Sequence, residues 1–199
     1  ALEGGPANRK EDAAVSETLK AGLLCNDSQL VESEGHWNIQ GDPTEGALLT
    51  VGLKAGGDRD RIEKELPKHH EIPFDSDRKR STVIRKMPDG KLRAFINGAS
   101  DVLLERCTKL YTSSGVRPMT DRDAQSIVEH NSAMAQQALR VLGSAWRDLD
   151  NASPADLTAD TVEHDLVFVG LTGMYDPPRQ EAKDAVTRCR AAGIRVVMI

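Results

Sequence analysis

The chain has 199 residues, enough to bury a full core in one domain or in one domain with part of another. With 39% hydrophobic and 29% charged residues it has an ordinary globular composition, and a net charge of -5 argues against non-specific nucleic-acid binding. No apolar run approaches the roughly 20 residues that span a bilayer, and residues 1–12 lack the apolar middle of a signal peptide, so the piece is expected to be soluble and to make no direct membrane contact.

Cys25, Cys107 and Cys189 form no CxxC pair and have no His at ligand spacing, so neither a metal site nor a disulfide framework is expected. Three reduced thiols suit the cytosol, and the triplets at Asn26 and Asn151 then read as chance glycosylation matches.

In chain order, Val15, Leu19, Gly22 and Leu23 recur at helical spacing and predict a helix from about Glu11 to Cys25, ended by Asn26-Asp27. A short strand is expected at Trp37 to Gln40. Gly41-Asp42-Pro43-Thr44-Glu45 then carries helix-start signals, with Asp42 as N-cap and Pro43 at the first helical position. In that position Glu45 closes a capping box onto the Asp42 backbone, an interaction of about 1 kcal/mol. Gly56-Gly57 ends this helix, and a charged helix near Asp58 to Leu66 follows.

Three strands are predicted at His70 to Phe74, Ser81 to Met87 and Lys91 to Asn97, the last two joined by a tight turn at Pro88-Asp89-Gly90. The pairing is expected to set Phe74 and Asn97 on neighbouring strands. Alternation predicts one of His69 and His70 buried and the other solvated. Phe74 ends its strand just before five charged residues in six positions, Asp75 to Arg80. It reads either as a core residue before a solvated turn or as a pocket rim offering a ring face to a flat ligand, with Lys79 and its neighbours meeting anionic groups. The second reading suits a purine nucleotide.

Ser100 to Cys107 reads as a short helix packed through Val102, Leu103 and Leu104. A hairpin is expected about Ser113-Ser114-Gly115, a helix from Thr120 to about Ala138 with Ile127, Met134 and Ala138 inward, and a strand from Leu139 to Leu149. On residues alone Arg140 is an exposed edge-strand guanidinium and Arg147 is structural. A polar loop at 151–161, a strand at Leu166 to Thr172, and the stop at Asp176-Pro177-Pro178-Arg179 follow. The two prolines suit a hinge or boundary. A helix from Gln180 to Ala192 and an apolar strand from Ile194 to Ile199 look like half of a βαβ unit.

Five segments in fixed order carry a resemblance that covers nearly the whole chain: GDPTEGALL at 41–49, IPFDSDRKRSTV at 72–83, INGASDVLLERC at 96–107, LRVLGSAWRDL at 139–149 and GMYDPPRQEA at 173–182. Together they resemble the nucleotide-binding domain of P-type cation-transporting ATPases, and the first is most similar to the calcium-pump branch. The resemblance implies ATP as ligand, with Glu45 beside the adenine, Phe74, Ser76 and Lys79 around the nucleotide, Asn97-Gly98-Ala99 deep in the pocket, Arg140 toward the phosphates and Leu142 by the purine. It implies a nucleotide-binding domain over residues 1–175, and a hinge at Asp176 to Arg179 followed by the start of a Rossmann-like phosphorylation domain over 176–199. Phosphorylation and actuator domains of the same polypeptide are the implied partners, at the cytosolic face of a membrane.

The family pattern has Lys-Gly-Ala where this chain has Asn97-Gly98-Ala99. The missing charge implies weaker nucleotide binding than in relatives, or a larger share for Lys79 or Arg140. No position matches the Asp-Lys-Thr-Gly-Thr motif whose Asp is phosphorylated in the family, so no catalytic residue is expected here and Mg²⁺ would be held mainly by the phosphorylation domain. Two rivals are an interaction module without nucleotide binding and a haloacid-dehalogenase-like phosphatase using Asp75 of Asp75-Ser76-Asp77. The expected fold is α+β, a largely antiparallel twisted sheet flanked by helices.

Overall fold

A computed structural model describes residues 13–33, 35–150, 156–175 and 180–197. The hinge residues Asp176, Pro177, Pro178 and Arg179 lie outside the described residues, as do the start of the first predicted helix and Ile199.

The fold is α+β. Among the described residues, nine strands run as β1 (Gln29–Ser33), β2 (His36–Gln40), β3 (Lys68–Asp75), β4 (Arg80–Lys86), β5 (Leu92–Ala99), β6 (Cys107–Thr112), β7 (Gly115–Pro118), β8 (Arg140–Leu149) and β9 (Leu166–Met174). The helices are α1 (Ala13–Leu24), α2 (Pro43–Lys54), α3 (Arg59–Glu65), α4 (Ser100–Leu104), α5 (Asp121–Gln136), α6 (Ala159–Val162) and α7 (Gln180–Ala191). Seven strands form one sheet in the order β3-β4-β5-β8-β9-β6-β7, while β1 and β2 make a separate hairpin. Every pair in the large sheet is antiparallel except β6 with β9.

Strand alternation divides the core between the two sheet faces. Val83, Phe95 and Trp146 point to one face, where they meet Ala21, Leu24 and Cys25 of the α1 end. Their neighbours Ile84, Ala94, Ile96 and Ala145 point to the other, against Leu103, Leu157 and Val162. Each fully buried Leu, Ile or Phe contributes about 1.5–3 kcal/mol. Arg93 lies on the first face at its rim, 3.8 Å over the Trp146 ring, with its Nε donating to Asp148 at 2.6 Å.

Several expectations need correction. Phe74 and Asn97 are not on neighbouring strands, because β4 pairs with both β3 and β5 and lies between them. Ser81 to Met87, the middle of the three predicted strands, forms the shared partner. His69 and His70 are both exposed, since β3 is an edge strand with a register shift between Lys68 and His70 that breaks the alternation. The helix at Ser100 stops at Leu104, and Cys107 opens β6. Ala138 is exposed and in the left-handed region at φ 58, closing α5 rather than packing inward. Arg140 is not on an edge, because β8 is central between β5 and β9.

The helix beyond the two prolines is present as α7 and ends as predicted at Gly193, with φ 72 and bonds from Gly193 and Ile194 back to Arg190 and Cys189. The expected apolar strand does not form over residues 194–197, where Ile194, Val196 and Val197 are exposed. A strand needs a hydrogen-bonded neighbour, and among the described residues none pairs with this segment.

One buried cation was not foreseen. Arg85, fully buried on β4, donates from Nε to the Leu24 carbonyl (2.8 Å), from Nη1 to the Leu66 carbonyl (3.0 Å), and from both Nη atoms to the Glu63 carboxylate (2.7 and 2.8 Å). Those bonds hold the Glu63 carboxyl below the usual glutamate range. A depressed folded-state value contributes stability that is present above the ordinary glutamate range and lost as pH falls through the depressed one. Glu63→Gln should therefore flatten part of the acid limb of a urea-midpoint-against-pH curve. An acid limb as steep as the wild type's would contradict this.

Candidate nucleotide site

Asp42 caps α2 as expected, accepting from the Thr44 and Glu45 N–H groups at 2.8 and 3.2 Å. The capping box does not form. Glu45 turns instead to the loop after α1, where its Oε2 accepts from Asp27 N (3.0 Å), Ser28 N (3.2 Å) and Ser28 Oγ (3.3 Å). Long-range backbone donors thus outcompete the local one. All three bonds fall on one oxygen, leaving Oε1 with acceptor capacity.

Glu45 borders a cavity of about 370 Å³ between the α1–α2 end and the strand ends of β3, β4, β5 and β8. Phe74, Lys79, Asn97, Gly98, Ala99, Arg140 and Leu142 also line it. Eight of the nine residues expected at a nucleotide site are thus brought together. Ser76 is the exception, exposed in the Asp75–Arg80 turn and absent from the lining.

The turn explains this sorting. Asp75 Oδ1 accepts from Asp77 N (3.0 Å) and Arg78 N (2.8 Å), and the latter bond chiefly holds its carboxyl below the usual range. Asp75 is therefore a turn-forming residue at the end of an antiparallel edge strand, which does not favour the phosphatase reading. Phe74 keeps 65% of its surface exposed, at a register irregularity of β3, so it is a rim residue rather than a core one. Lys79 sits at φ 53 and its carbonyl accepts from Ala99 N at 3.0 Å. Arg78 and Arg80 do not join it at the cavity. Both turn to Glu163, so the basic run supplies one cation there rather than three.

Asn97 is 5% exposed and structurally engaged. Its Nδ2 donates to the Cys25 carbonyl (3.2 Å), and its Oδ1 accepts from Ser144 Oγ (2.8 Å). It ties the end of α1 to β5 and β8, and the lining cations are Lys79 and Arg140. Asn97→Ala should cost about 1–3 kcal/mol, because a buried carbonyl and hydroxyl lose their partners. A urea midpoint indistinguishable from wild type would contradict that role. Gly98 is needed for protein packing, since a Cβ there would lie 2.5 Å from Arg80 Cβ and 2.7 Å from the Lys79 carbonyl oxygen.

The sequence reading missed Cys25, Thr44, Ser81 and Val141 in the lining, together with the N-cap Asp42 and Leu48. Ser81 lies directly opposite Asn97 across β4 and β5, so the strand register was the signal that would have found it. Cys25 had none beyond closing an apolar stripe. Burial pushes its thiol up to about 12, so it stays protonated and acts as a small floor residue.

Residues 14–181 match the family described as P-type ATPase, cytoplasmic domain N. A calcium-transporting ATPase 1 of Bacillus cereus is 41% identical over 177 residues, covering 89% of this chain and 19% of that protein. A cation-transporting ATPase, pma1, of Synechocystis is 40% identical over 186 residues, covering 93% and 20%. A calcium-transporting ATPase of Bacillus subtilis is 35% identical over 192 residues, covering 95% and 21%. The chain spans about a fifth of the length of these relatives. With the family matched across most of its residues, the chain belongs to the P-type cation ATPases, as their cytoplasmic domain N.

Proposed function

We propose that this chain binds ATP in the cavity bordered by Glu45 and Phe74 and presents the γ-phosphate to an aspartate in a phosphorylation domain of the same polypeptide. The observation that carries the proposal is the convergence of an exposed aromatic face, a carboxylate with a spare oxygen and two cations on one cavity. Phe74 offers a stacking surface for the purine, and Glu45 Oε1 can accept from an exocyclic amine. Asp42 already occupies the first N–H groups of α2, so that helix end is not open to phosphate. Lys79 and Arg140 are the groups suited to the phosphate chain.

Transfer requires γ-phosphate, metal and acceptor in line, and the acceptor motif is not among the 199 residues. This chain is therefore proposed to bind ATP without hydrolysing it, with Mg²⁺ held mainly by the phosphorylation domain. Residues 1–175 are proposed as the binding unit, with a hinge at Asp176 to Arg179. The parent is proposed to be a membrane pump with this domain at its cytosolic face, and calcium is the favoured cation because the matched relatives include calcium-transporting ATPases.

Amide NMR spectra recorded while ATP is titrated test the reading. Shifts should cluster at Glu45, Phe74, Lys79, Gly98 and Arg140, while phosphorus spectra of the same sample should register no ADP. An absence of shifts at millimolar ATP would sink the proposal and favour an interaction module, and ADP formation would overturn the second half.

A further inference from the structure

We propose that Glu163 is a positioning residue for the nucleotide cavity, acting through Arg78 and Arg80 on the turn that carries Phe74 and Lys79; this rests on the nucleotide reading above. Glu163 follows α6, some 80 residues away in sequence, and has 0% exposure. Its Oε1 accepts from Arg78 Nη1 (2.5 Å) and Thr82 Oγ1 (2.8 Å), and its Oε2 accepts from Arg80 Nε (2.6 Å). Both guanidinium groups then reach back to the turn itself. Arg78 Nη2 donates to the Pro73 carbonyl (2.5 Å), next to Phe74, and Arg80 Nη1 donates to the Arg78 carbonyl (2.8 Å), next to Lys79.

One buried carboxylate thus holds both ends of the segment from Pro73 to Arg80. Two consequences reach the cavity. Charge pairing draws Arg78 and Arg80 to Glu163, so Lys79 alone of three consecutive cations lines the site. The clamp also holds Lys79 at φ 53, a conformation a non-glycine residue keeps only where its surroundings impose it. With that backbone fixed, the Lys79 carbonyl accepts from Ala99 on the opposite wall. Apparent affinity scales with the fraction of molecules in the competent conformation, so a turn competent in about one-tenth of molecules binds about tenfold more weakly.

The test compares Glu163→Gln and Arg78→Gln with Arg93→Gln, which breaks charge pairs with Asp148 and Glu17 and a ring contact at the sheet rim away from the turn. For each variant, at a temperature where circular dichroism reports full folding, ATP affinity is measured by titration and amide hydrogen exchange is measured without ligand. Arg78→Gln should weaken ATP binding about tenfold and speed exchange at the Lys79 and Ala99 amides, and Glu163→Gln should do the same or more. Arg93→Gln should lower the melting temperature and change neither. If Glu163→Gln does not fold, Arg78→Gln decides, because its loss leaves the Arg80–Glu163 pair in place.

Wild-type affinity with unchanged Lys79 and Ala99 exchange in Arg78→Gln would overturn the proposal, as would an equal loss of affinity in Arg93→Gln. A wild-type chain that fails to bind ATP overturns the nucleotide reading instead. The ligand-free exchange comparison then still decides whether Glu163 holds the turn.

Discussion

Replacing Phe74 by alanine is expected to raise the dissociation constant for ATP by about 5- to 150-fold, the loss of one base–aromatic stack of about 1–3 kcal/mol. The magnitude rests on exposure and position. Phe74 keeps 65% of its surface free, so the free protein gains little from the ring and truncation should leave stability nearly unchanged. A residue that lines a cavity and contributes little to folding is a clean probe of binding. Isothermal titration with ATP and with adenosine should register similar fold losses, because the ring is proposed to hold the base rather than the phosphates. An unchanged ATP affinity would remove Phe74 from the site. A loss confined to ATP would move it toward the phosphate chain.

The second large effect concerns stability. Arg85→Met is expected to destabilise the fold by about 3–5 kcal/mol, the range for removing one partner of a buried charged network. The Met side chain fills much of the same space, so the cost comes chiefly from lost bonds. The Leu24 and Leu66 carbonyls, at the ends of α1 and α3, lose their donor in the interior, at about 1–3 kcal/mol each. Glu63 keeps 38% of its side chain exposed and can turn to water, which limits its share. At about 2–4 °C per kcal/mol for a domain of this size, melting should fall by some 6–20 °C. A fall within 2 °C of wild type would mean that water already serves those carbonyls. Because Cys25 follows Leu24 and floors the cavity, the same variant should also loosen the site.

Much of the fold was legible from local signals. The helix starts at Asp42-Pro43 and Thr120, the tight turn at residues 88–90 and the stop at Gly193 are each written in a few adjacent residues, and their bonds form as that chemistry requires. The antiparallel character followed from strands joined by short turns. What failed were inferences that needed long-range partners. Glu45 had a plausible local acceptor role in a capping box, yet the Asp27–Ser28 loop offered more donors. Phe74 and Asn97 are not neighbours, because β4 lies between their strands, and only sheet order reveals that separation.

By itself the sequence determined the family, through five ordered motifs, and with it eight of the fourteen residues that line the cavity. The family resemblance picks Lys79 out of three adjacent cations, but tertiary structure alone shows what draws the other two away. Arg78, Lys79 and Arg80 are equivalent as a string of charges, and nothing local distinguishes them. A single carboxylate from 83 residues beyond Arg80 does so, by drawing two of them away from the cavity. The physical reason is that a buried charge must find its counter-charge wherever the fold brings one within reach, and that distance in space cannot be read from distance along the chain.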